Sequence, residues 1–390
     1  MSDSTNSPQR AVHGALDYAE LANLGLEPGE ILDFSVNANP YGPSPRVREA
    51  IASVVIERYP DRECLQLRRA ILDYELAPTQ LSLSALVCGN GTNELIWTIA
   101  RTYLKPGLKA AIIGPTFGEY HIASHAVGAT IIEARAQAEM HFQPDSSMLS
   151  AWIQKEQPRL VWLCNPNNPT GAWLNRSQIC HIVEFCKRVD ALLVIDESYQ
   201  HFLFPAESYS ALELLESAPE SQVIVLRSLT KDFALAAVRL GYLVSSVEIA
   251  TEVTAQLPAW NVSGIAQAAG SAALADQAHL KTTLDQLAAE RGEFFHALKQ
   301  TGLTVIPSRT HFCLLHVGNA RRVRQQLLTR KILVRDCTSF GLPQFIRVAT
   351  RPAPEWQQLL HTLIFSILKR VVKEHRLLLP PQKGSIHTKP

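Results

Sequence analysis

Short, almost wholly apolar runs alternate along the middle of the chain with longer stretches in which apolar residues recur at helical spacing. Four such runs are Ala110–Ile113, Leu160–Cys164, Leu192–Ile195 and Val223–Leu226, and each is followed by polar or turn-forming residues. The stretch LNRSQICHIVEFCKRV lies between two of them and has the pattern of an amphipathic helix. Apolar strands that alternate with helices are typical of a parallel sheet covered on both faces. We therefore predict an α/β fold, in which ligands bind beyond the carboxyl ends of the strands.

The pattern changes in the last hundred residues. A long helical stretch over Leu280–Thr301 is followed by the strand-like strings HFCLLHV and FIRVAT and by a final helix around Trp356–Val371. This order predicts a small α+β domain. The predicted organisation is a flexible N-terminus (1–12), an N-terminal segment that packs on the small domain (13–58), a large domain (59–275), the small domain (276–375) and a disordered tail (376–390).

Composition narrows the class of protein. The hydrophobic fraction of 46% and the charged fraction of 19% are typical of a globular chain, and a net charge of +1 argues against nucleic acid or a membrane as a partner. No apolar run approaches the roughly 20 residues that a membrane-spanning helix needs. The first ten residues lack the apolar region of a secretory signal, and seven scattered cysteines show no zinc spacing. We expect a cytoplasmic protein without a metal site.

A lysine follows the last of the four apolar runs, in the string Ser228-Leu-Thr-Lys231. A lysine amine whose pKa is lowered can form a Schiff base, although most lysines at such positions are surface charges. Arg239 lies eight residues further on, in VRLGY. Ser228, Lys231 and Arg239 together form a cluster that could hold a phosphate beside an aldehyde.

Polar residues also follow two other apolar runs. Asp196 closes the string LLVID and could pair with a protonated pyridine nitrogen, or it could simply cap the next helix. Tyr199 follows three residues later and could hydrogen-bond a phenolic ring oxygen. The turn NPNNPTG presents Asn168 for the same oxygen, unless it is an ordinary turn.

A glycine-rich string, Gly89-Asn-Gly91-Thr92-Asn-Glu, opens the helical stretch LIWTIARTYL. Glycines before a helix allow backbone N–H groups to approach a phosphate, which the helix dipole also favours, although ordinary turns use the same residues. These four signals point to one ligand with a phosphate, a ring and an aldehyde.

The motifs resemble those of the fold-type I enzymes of the class I/II aminotransferase family, over about residues 13–370. The resemblance implies pyridoxal 5′-phosphate (PLP) as the cofactor and a large domain with a mainly parallel, helix-covered sheet beside a small α+β domain. It also implies covalent attachment of the cofactor to Lys231, Asp196 on the pyridine nitrogen, and Asn168 and Tyr199 on the ring oxygen. The implied phosphate contacts are Gly91, Thr92, Ser228 and Arg239.

The same resemblance assigns four further positions. Phe117, in GPTFGEY, matches the aromatic residue that stacks on the cofactor ring, with Tyr120 behind it. Arg347, in FIRVAT, matches the arginine that holds the substrate α-carboxylate as a bidentate pair. Tyr59, in ERYPD, matches a tyrosine that reaches the cofactor phosphate of the partner subunit, which implies a homodimer with shared active sites.

Two subfamilies remain open. NPYGPSP, VRDC and FIRVAT resemble histidinol-phosphate aminotransferases. His13-Gly14, GLEPGEILDFSVNANP, LRSLTK, LPAWNVSGIAQAA and Arg351 resemble the L-threonine-O-3-phosphate decarboxylases of cobalamin biosynthesis more closely, although those enzymes usually read HGG where this chain has HGA. They also usually carry Pro-Gly where this chain has Ala236-Ala237.

This comparison leads to an expected reaction. We expect decarboxylation of L-threonine O-3-phosphate to (R)-1-amino-2-propanol O-2-phosphate, with transamination of histidinol phosphate as the alternative. Both substrates are phosphorylated, and the candidates for binding them besides Arg347 are Arg335, Arg351, Asn39 and His13. A regulator that fuses this fold to a DNA-binding module is disfavoured, because the N-terminal segment has no room for a helix-turn-helix.

Overall fold

The computed structural model describes residues 13–364 apart from 78, 80, 205–208 and 219. The strands are β1 (Leu32–Asp33), β2 (Leu86–Gly89), β3 (Lys109–Gly114), β4 (Thr130–Arg135), β5 (Leu160–Cys164), β6 (Leu192–Asp196), β7 (Val223–Ser228), β8 (Gly241–Val244), β9 (Thr304–Val305), β10 (Phe312–His316), β11 (Ile332–Leu333), β12 (Arg335–Asp336) and β13 (Phe345–Ala349).

The helices alternate with these strands. They are α1 (Tyr18–Leu24), α2 (Pro45–Ala52), α3 (Leu65–Tyr74), α4 (Gly91–Tyr103), α5 (Glu119–Ala126), α6 (Ser146–Glu156), α7 (Arg176–Arg188), α8 (Leu212–Ser217), α9 (Val247–Thr254), α10 (Gly264–Leu274), α11 (Gln277–Gln300), α12 (Ala320–Leu328) and α13 over residues 353–364. The predicted N-terminus over 1–12, the predicted tail over 376–390 and the predicted extension of the last helix beyond 364 lie outside the described residues.

The large domain is built on a seven-stranded sheet with the order β2-β8-β7-β6-β5-β3-β4. Neighbouring strands from β7 to β4 run parallel, whereas β8 is antiparallel to both of its neighbours. The four predicted apolar runs form β3, β5, β6 and β7. The mainly parallel α/β sheet is therefore confirmed, and the antiparallel β8 is a feature that the sequence pattern did not reveal.

Both faces of this sheet are covered, which explains why its strands are apolar along their whole length. In β5, Val161 and Leu163 belong to the hydrophobic core on one face, whereas Leu160 and Trp162 belong to the core on the other. All five residues of β5 are buried. The polar side chains that follow the strands therefore lie at the sheet's carboxyl edge, outside both cores.

The small domain has a four-stranded antiparallel sheet with the order β12-β13-β10-β9. Its core includes Phe294 of α11, Trp356 of α13 and Phe34 of the N-terminal segment. That segment also contributes β1, which pairs in parallel with β11. Further along, α2 packs against α10. The N-terminal segment thus contacts the small domain through residues 32–34 and through α1, where Leu21 packs with Leu328 and Leu333. Its α2 contacts the rest of the protein.

The helices and the cysteines bear on the class of protein. In the ranges that the structure describes, no helix combines the length and the apolar character needed to cross a membrane. All seven cysteines have free thiols, and only Cys180 is exposed. The other six lie in the interior, where a thiol packs as a small apolar group.

Candidate active site

A cavity of about 760 Å³ lies where the carboxyl ends of β5, β6 and β7 face the small domain. Its wall includes residues from the sheet edge, from the N-terminal segment and from β12 and β13 of the small domain. Ten of the sequence-predicted site residues line it: His13, Thr92, Phe117, Asn168, Asp196, Tyr199, Lys231, Arg239, Arg335 and Arg347. The topology therefore gathers motifs that are far apart in the sequence.

Lys231 lies three residues beyond β7, and its amine faces the cavity. The backbone is held there because the carbonyl of Lys231 accepts a hydrogen bond from the backbone N–H of Asn39 at 2.7 Å. Burial, together with the positive charges of Arg347 and Arg239, lowers the pKa of Lys231 to about 8. A pKa near neutrality makes the unprotonated, nucleophilic amine accessible.

Asp196, the last residue of β6, is fixed by hydrogen bonds to both of its carboxylate oxygens. The backbone N–H of Ser198 donates to Oδ1 at 2.9 Å, and the Tyr120 hydroxyl donates to Oδ2 at 2.7 Å. Burial and the neighbouring Asp196 carboxylate raise the pKa of Tyr120 well above its ordinary value, so this phenol remains a donor. The Tyr120 ring stacks on Trp162 at 5.1 Å. A buried carboxylate held in this way can pair with a protonated ring nitrogen.

Tyr199, Asn168 and Arg347 lie close together in the cavity wall. Burial raises the pKa of Tyr199 to about 12, and the Asn37 amide lies 3.5 Å from its hydroxyl. Arg347 donates to the side-chain oxygen of Asn168 and to the carbonyl of Ser35. Within the described part of the chain, Arg347 Nε and Asn37 Oδ1 are buried without a hydrogen-bond partner. Such atoms are expected where a polar ligand completes the site.

The N-terminus of α4 and Arg239 form a cradle for an anion. A Cβ on Gly91 would lie 2.8 Å from Arg239 Nη2, and the φ of +74° at this position favours glycine, so the guanidinium can lie across the helix N-terminus. A Cβ on Gly241 would likewise lie 2.8 Å from the backbone nitrogen of Thr92. Nearby, the Ser228 hydroxyl hydrogen-bonds the Thr230 hydroxyl at 2.6 Å. Helix N–H groups beside a guanidinium are the donors that bind phosphate.

These features fit pyridoxal 5′-phosphate. The cavity offers an amine of lowered pKa, a fixed buried carboxylate, a phenol, and an anion cradle with glycine at its closest point. Phe117 lies between Tyr120 and His13, with ring centroids 5.6 Å and 5.5 Å away, and presents its ring to the cavity. Phe117 is therefore placed where it could stack on a planar ring.

A second cationic region lies at the end of the cavity formed by the small domain. Arg335 of β12 is buried, and it donates to the Ser339 hydroxyl at 2.6 Å. Its guanidinium lies 4.9 Å from the centroid of the Phe340 ring. Burial and the positive charge of Arg347 lower the pKa of Arg335 to about 10. Two buried guanidiniums, of which Arg347 disfavours the charge of Arg335, form a binding region for an anionic ligand.

His13 lies at the cavity wall because the chain passes close to Ser35. A Cβ on Gly14 would lie only 2.5 Å from the Ser35 carbonyl oxygen, so a larger residue would push the chain away. Ala15, next in sequence, adopts φ +91°, a conformation that favours glycine. His13 Nε2 pairs with Glu119 Oε1 at 2.7 Å, and the other Glu119 oxygen accepts from Trp97 at 2.9 Å.

Five predicted site residues lie outside the cavity wall of the described chain. Gly91 and Ser228 lie just behind it, in the anion cradle. Arg351 instead pairs with Glu355 at 2.7 Å. The Asn39 side chain donates to the Asp232 carbonyl at 3.0 Å and to the Thr283 hydroxyl at 2.8 Å. Tyr59 is 81% exposed on the surface, where its ring lies 4.7 Å from that of Trp260.

Sequence reasoning missed a buried charge network beneath Lys231. His201 Nδ1 lies 2.5 Å from Asp232 Oδ2 and its Nε2 lies 3.6 Å from Glu75 Oε2. Arg227 pairs with Glu197 at 2.9 Å. One signal was present: Arg227 interrupts the otherwise apolar run VIVLRS, and a buried charge needs a partner.

Comparison with known proteins gives a consistent result. Residues 29–363 match the family described as aminotransferase class I and II. A histidinol-phosphate aminotransferase from Dechloromonas aromatica is 32% identical over 88% of this chain and 92% of its own length. A threonine-phosphate decarboxylase from Salmonella typhimurium is 35% identical over 90% of this chain and 96% of its own length. The crystal structure of a histidinol-phosphate aminotransferase from Sinorhizobium meliloti in complex with pyridoxal-5′-phosphate has a TM-score of 0.77 and 25% identity, covering 92% and 94% of the two chains.

Proposed function

This chain belongs to the class I and II aminotransferase family and uses pyridoxal 5′-phosphate, and we propose that it decarboxylates L-threonine O-3-phosphate to (R)-1-amino-2-propanol O-2-phosphate. When bound, the cofactor acts as an electron sink that weakens the bonds at the α-carbon of an attached amino acid. The residues of the chain determine which of those bonds is broken.

The predicted cofactor contacts are proposed as the holding residues. Lys231 provides the amine for covalent attachment, and Asp196 holds the ring nitrogen in its protonated form, with Tyr120 fixing the carboxylate. Tyr199 and Asn168 would contact the ring oxygen, and Phe117 would stack on the ring. The phosphate would lie in the cradle of Gly91, Thr92, Ser228 and Arg239.

The observation that carries the proposal is the presence of two buried guanidiniums, Arg335 and Arg347, in one cavity. The positive charge of Arg347 lowers the pKa of both Arg335 and Lys231, so this cationic region favours a ligand with two anionic groups. Threonine phosphate carries a phosphate and a carboxylate. We assign the phosphate to Arg335 and Ser339, with Arg347 beside the carboxylate. Anchoring at the phosphate would fix the rotation of the substrate about its N–Cα bond, and the bond to the carboxylate, rather than the bond to the α-proton, would then be the one that the bound cofactor weakens.

After carbon dioxide leaves, the α-carbon must receive a proton. Lys231 is the proposed donor, because its amine faces the cavity and its pKa of about 8 allows it to hold a proton and release it near neutral pH. In a transaminase the same amine would move a proton away from the α-carbon. The two reactions therefore share Lys231 and differ in how the arginines orient the substrate.

The placement of His13 favours the decarboxylase. The His13-Gly14 pair is one of the features by which the sequence resembles decarboxylases, and Gly14 is required where the chain contacts Ser35. Ala15 stands where the HGG string usual in decarboxylases has its second glycine. Its φ of +91° is a conformation that a glycine would adopt without strain. The decarboxylase relative also aligns over nearly its whole length.

Histidinol-phosphate transamination is the second candidate, favoured by the relatives and solved structures that carry that name. Histidinol phosphate has a phosphate for Arg335 but no carboxylate, so Arg347 would serve the keto-acid partner instead. The same cavity can therefore accept this chemistry.

The test is to incubate the purified, PLP-loaded protein with L-threonine phosphate alone and, in parallel, with histidinol phosphate and 2-oxoglutarate. The proposal predicts aminopropanol phosphate in the first reaction and no turnover in the second, both followed by mass spectrometry. Arg335→Gln should raise KM for threonine phosphate, whereas the same change at the exposed Arg330 should not. Imidazole-acetol phosphate in the second reaction, with threonine phosphate left intact, would establish the aminotransferase instead.

A further inference from the structure

Arg135 crosses from the large domain to the small domain. It is the last residue of β4, at the edge of the seven-stranded sheet, and its Nη2 donates to the carbonyl oxygen of Phe340 at 2.6 Å. Phe340 belongs to the short helical turn Cys337–Phe340, which follows β12. The bond therefore connects the large sheet to a loop of the small domain that lines the cavity.

Two glycines leave space for this connection. A Cβ on Gly341 would lie 2.8 Å from Arg135 Nη2, and Gly341 has a φ of +73°. On the other side, Arg135 Nη1 donates to Glu133 Oε1 at 2.7 Å, and a Cβ on Gly114 would lie 2.1 Å from that same oxygen. The Glu133–Arg135 pair thus lies against both glycines, and larger residues at positions 114 and 341 would displace these two side chains.

The Phe340 ring connects Arg135 to the cavity. Phe340 is 8% exposed and packs in a cluster with Phe142 and Phe345, while its ring lies 4.9 Å from the guanidinium carbon of Arg335. Ser339, next to it, accepts a hydrogen bond from Arg335 at 2.6 Å. A guanidinium over an aromatic face is held in a preferred orientation. The 337–340 turn therefore helps to set the direction in which Arg335 points, together with the carbonyl oxygen of Asp336, which accepts a hydrogen bond from Arg335 Nη1 at 2.8 Å.

We propose that Arg135 is a positioning residue for substrate specificity. It holds the 337–340 turn in place, and that turn orients Arg335 toward the phosphate of the substrate. This inference rests on the proposed function, in which Arg335 binds the substrate phosphate. It does not require Arg135 to touch the substrate. The Arg135 side chain itself is 36% exposed and does not line the cavity of the described chain.

Loss of Arg135 should affect binding of the phosphate more than the chemical step. Arg135→Met keeps the apolar stem of the side chain and removes both hydrogen bonds. It should raise KM for threonine phosphate about tenfold, because a charged donor to a carbonyl is lost, and leave kcat within about twofold. Cofactor absorbance should not change, because Arg135 has no contact with the anion cradle.

A binding measurement separates this role from a general structural one. 3-Phosphoglycerate carries a carboxylate and a phosphate but no amine, so it can occupy the site of the PLP-loaded protein without reacting; glycerate lacks the phosphate. The preference for 3-phosphoglycerate is the Kd of glycerate divided by the Kd of 3-phosphoglycerate. Calorimetry should show that this ratio is about tenfold lower in Arg135→Met than in the wild type, while the Kd for glycerate is unchanged.

Arg159 offers a matched control. Its side chain is 35% exposed, close to that of Arg135, and its Nη1 also donates to a backbone carbonyl, that of Asp190, and to a carboxylate. It lies before β5, away from the small domain. Arg159→Met should leave the preference for 3-phosphoglycerate as in the wild type. Glu133→Gln should also have little effect, because the bond from Arg135 to Phe340 remains.

The outcomes distinguish this inference from the function on which it rests. If the wild type binds 3-phosphoglycerate no better than glycerate, the assignment of a phosphorylated substrate fails. If the wild type shows the preference and Arg135→Met retains it in full, the function stands and the role of Arg135 is refuted. If Arg135→Met does not fold, Arg135→Gln, which is too short to reach Phe340, is measured in its place with the same expected result.

Discussion

At the scale of single residues, the chemistry depends on the charge state of Lys231. Burial and two neighbouring arginines, Arg347 and Arg239, lower the pKa of its amine to about 8, whereas Asp196 and Asp232 act in the opposite direction. The unprotonated amine is the form that can attack an aldehyde. The charges around the cavity therefore prepare Lys231 for the cofactor before it binds.

The rate of cofactor capture should follow this pKa. We expect the rate at which the cofactor-free protein binds PLP covalently to rise with pH and to level off above about pH 8. Borohydride trapping followed by mass spectrometry would measure it, with Lys231→Ala as the control that captures none. A rate that continued to rise to pH 10 would show that the amine has the pKa of an ordinary lysine.

Residue-scale prediction from sequence worked where the motif itself is local. The strings that contain Asp196 and Lys231 place them at strand ends, and the structure has them there. Partners from distant segments could not be read in this way. The sequence placed Tyr120 only behind Phe117, whereas its hydroxyl donates to Asp196, 76 positions away. Arg351 lies beyond the end of β13, where α13 offers Glu355 as a partner.

At the scale of elements, the end of β7 is supported by a buried charge network. Burial alone would lower the pKa of His201, but the Glu75 and Asp232 carboxylates raise it to about 9. The network joins three parts of the chain: Glu75, which follows α3, His201, in the turn after β6, and Asp232, which follows Lys231. The positive charge of Arg227, which lies 4.0 Å from Glu75, acts in the opposite direction and lowers the pKa of His201.

The stability of this network should depend on pH. A folded pKa of about 9, above the ordinary 6.5, means that His201 stabilises the protein fully below pH 6.5 and loses this contribution as pH rises through about 9. His201→Gln should therefore lower the free energy of unfolding by on the order of 3 kcal/mol at pH 6 and much less at pH 10. Urea denaturation at both pH values measures this. An equal loss at both would mean that the charge on His201 contributes nothing.

At the scale of the whole molecule, large apolar side chains form an exposed surface around Tyr59. Ile56 and Tyr59 are 78% and 81% exposed, and Trp260 beside Tyr59 is 46% exposed. Exposed apolar patches of this kind mark interaction sites. We propose that a second copy of the chain covers this surface and that Tyr59 reaches the partner's cofactor phosphate.

Mixing two inactive variants tests the shared site. Lys231→Ala removes the amine from its own cavity, and Tyr59→Ala would remove a contact from the partner's cavity. A hybrid dimer then has one intact site of its two. Random pairing of equal amounts makes about half of the dimers hybrids, so the co-refolded variants should recover about a quarter of wild-type activity. Activity no greater than the sum of the separate variants would place Tyr59 outside any shared site.

The overall fold could be predicted because its strands are apolar on both faces and short enough to be recognised. The antiparallel β8 was not predicted, because GYLV is as apolar as a parallel strand and direction depends on how the chain returns to the sheet. The Arg135–Phe340 connection was not predictable either. It joins residues 205 positions apart, and its only local signs are glycines at 114 and 341.

The central claim is that the α-carboxylate leaves. L-Threonine phosphate labelled with ¹³C in the carboxyl group, incubated with the PLP-loaded protein in the absence of any keto acid, tests it directly by ¹³C NMR. We predict that the label appears in carbon dioxide and bicarbonate in a one-to-one ratio with aminopropanol phosphate, over many turnovers. Label that stays in a carboxylic acid, or turnover that begins only when 2-oxoglutarate is added, would contradict the account.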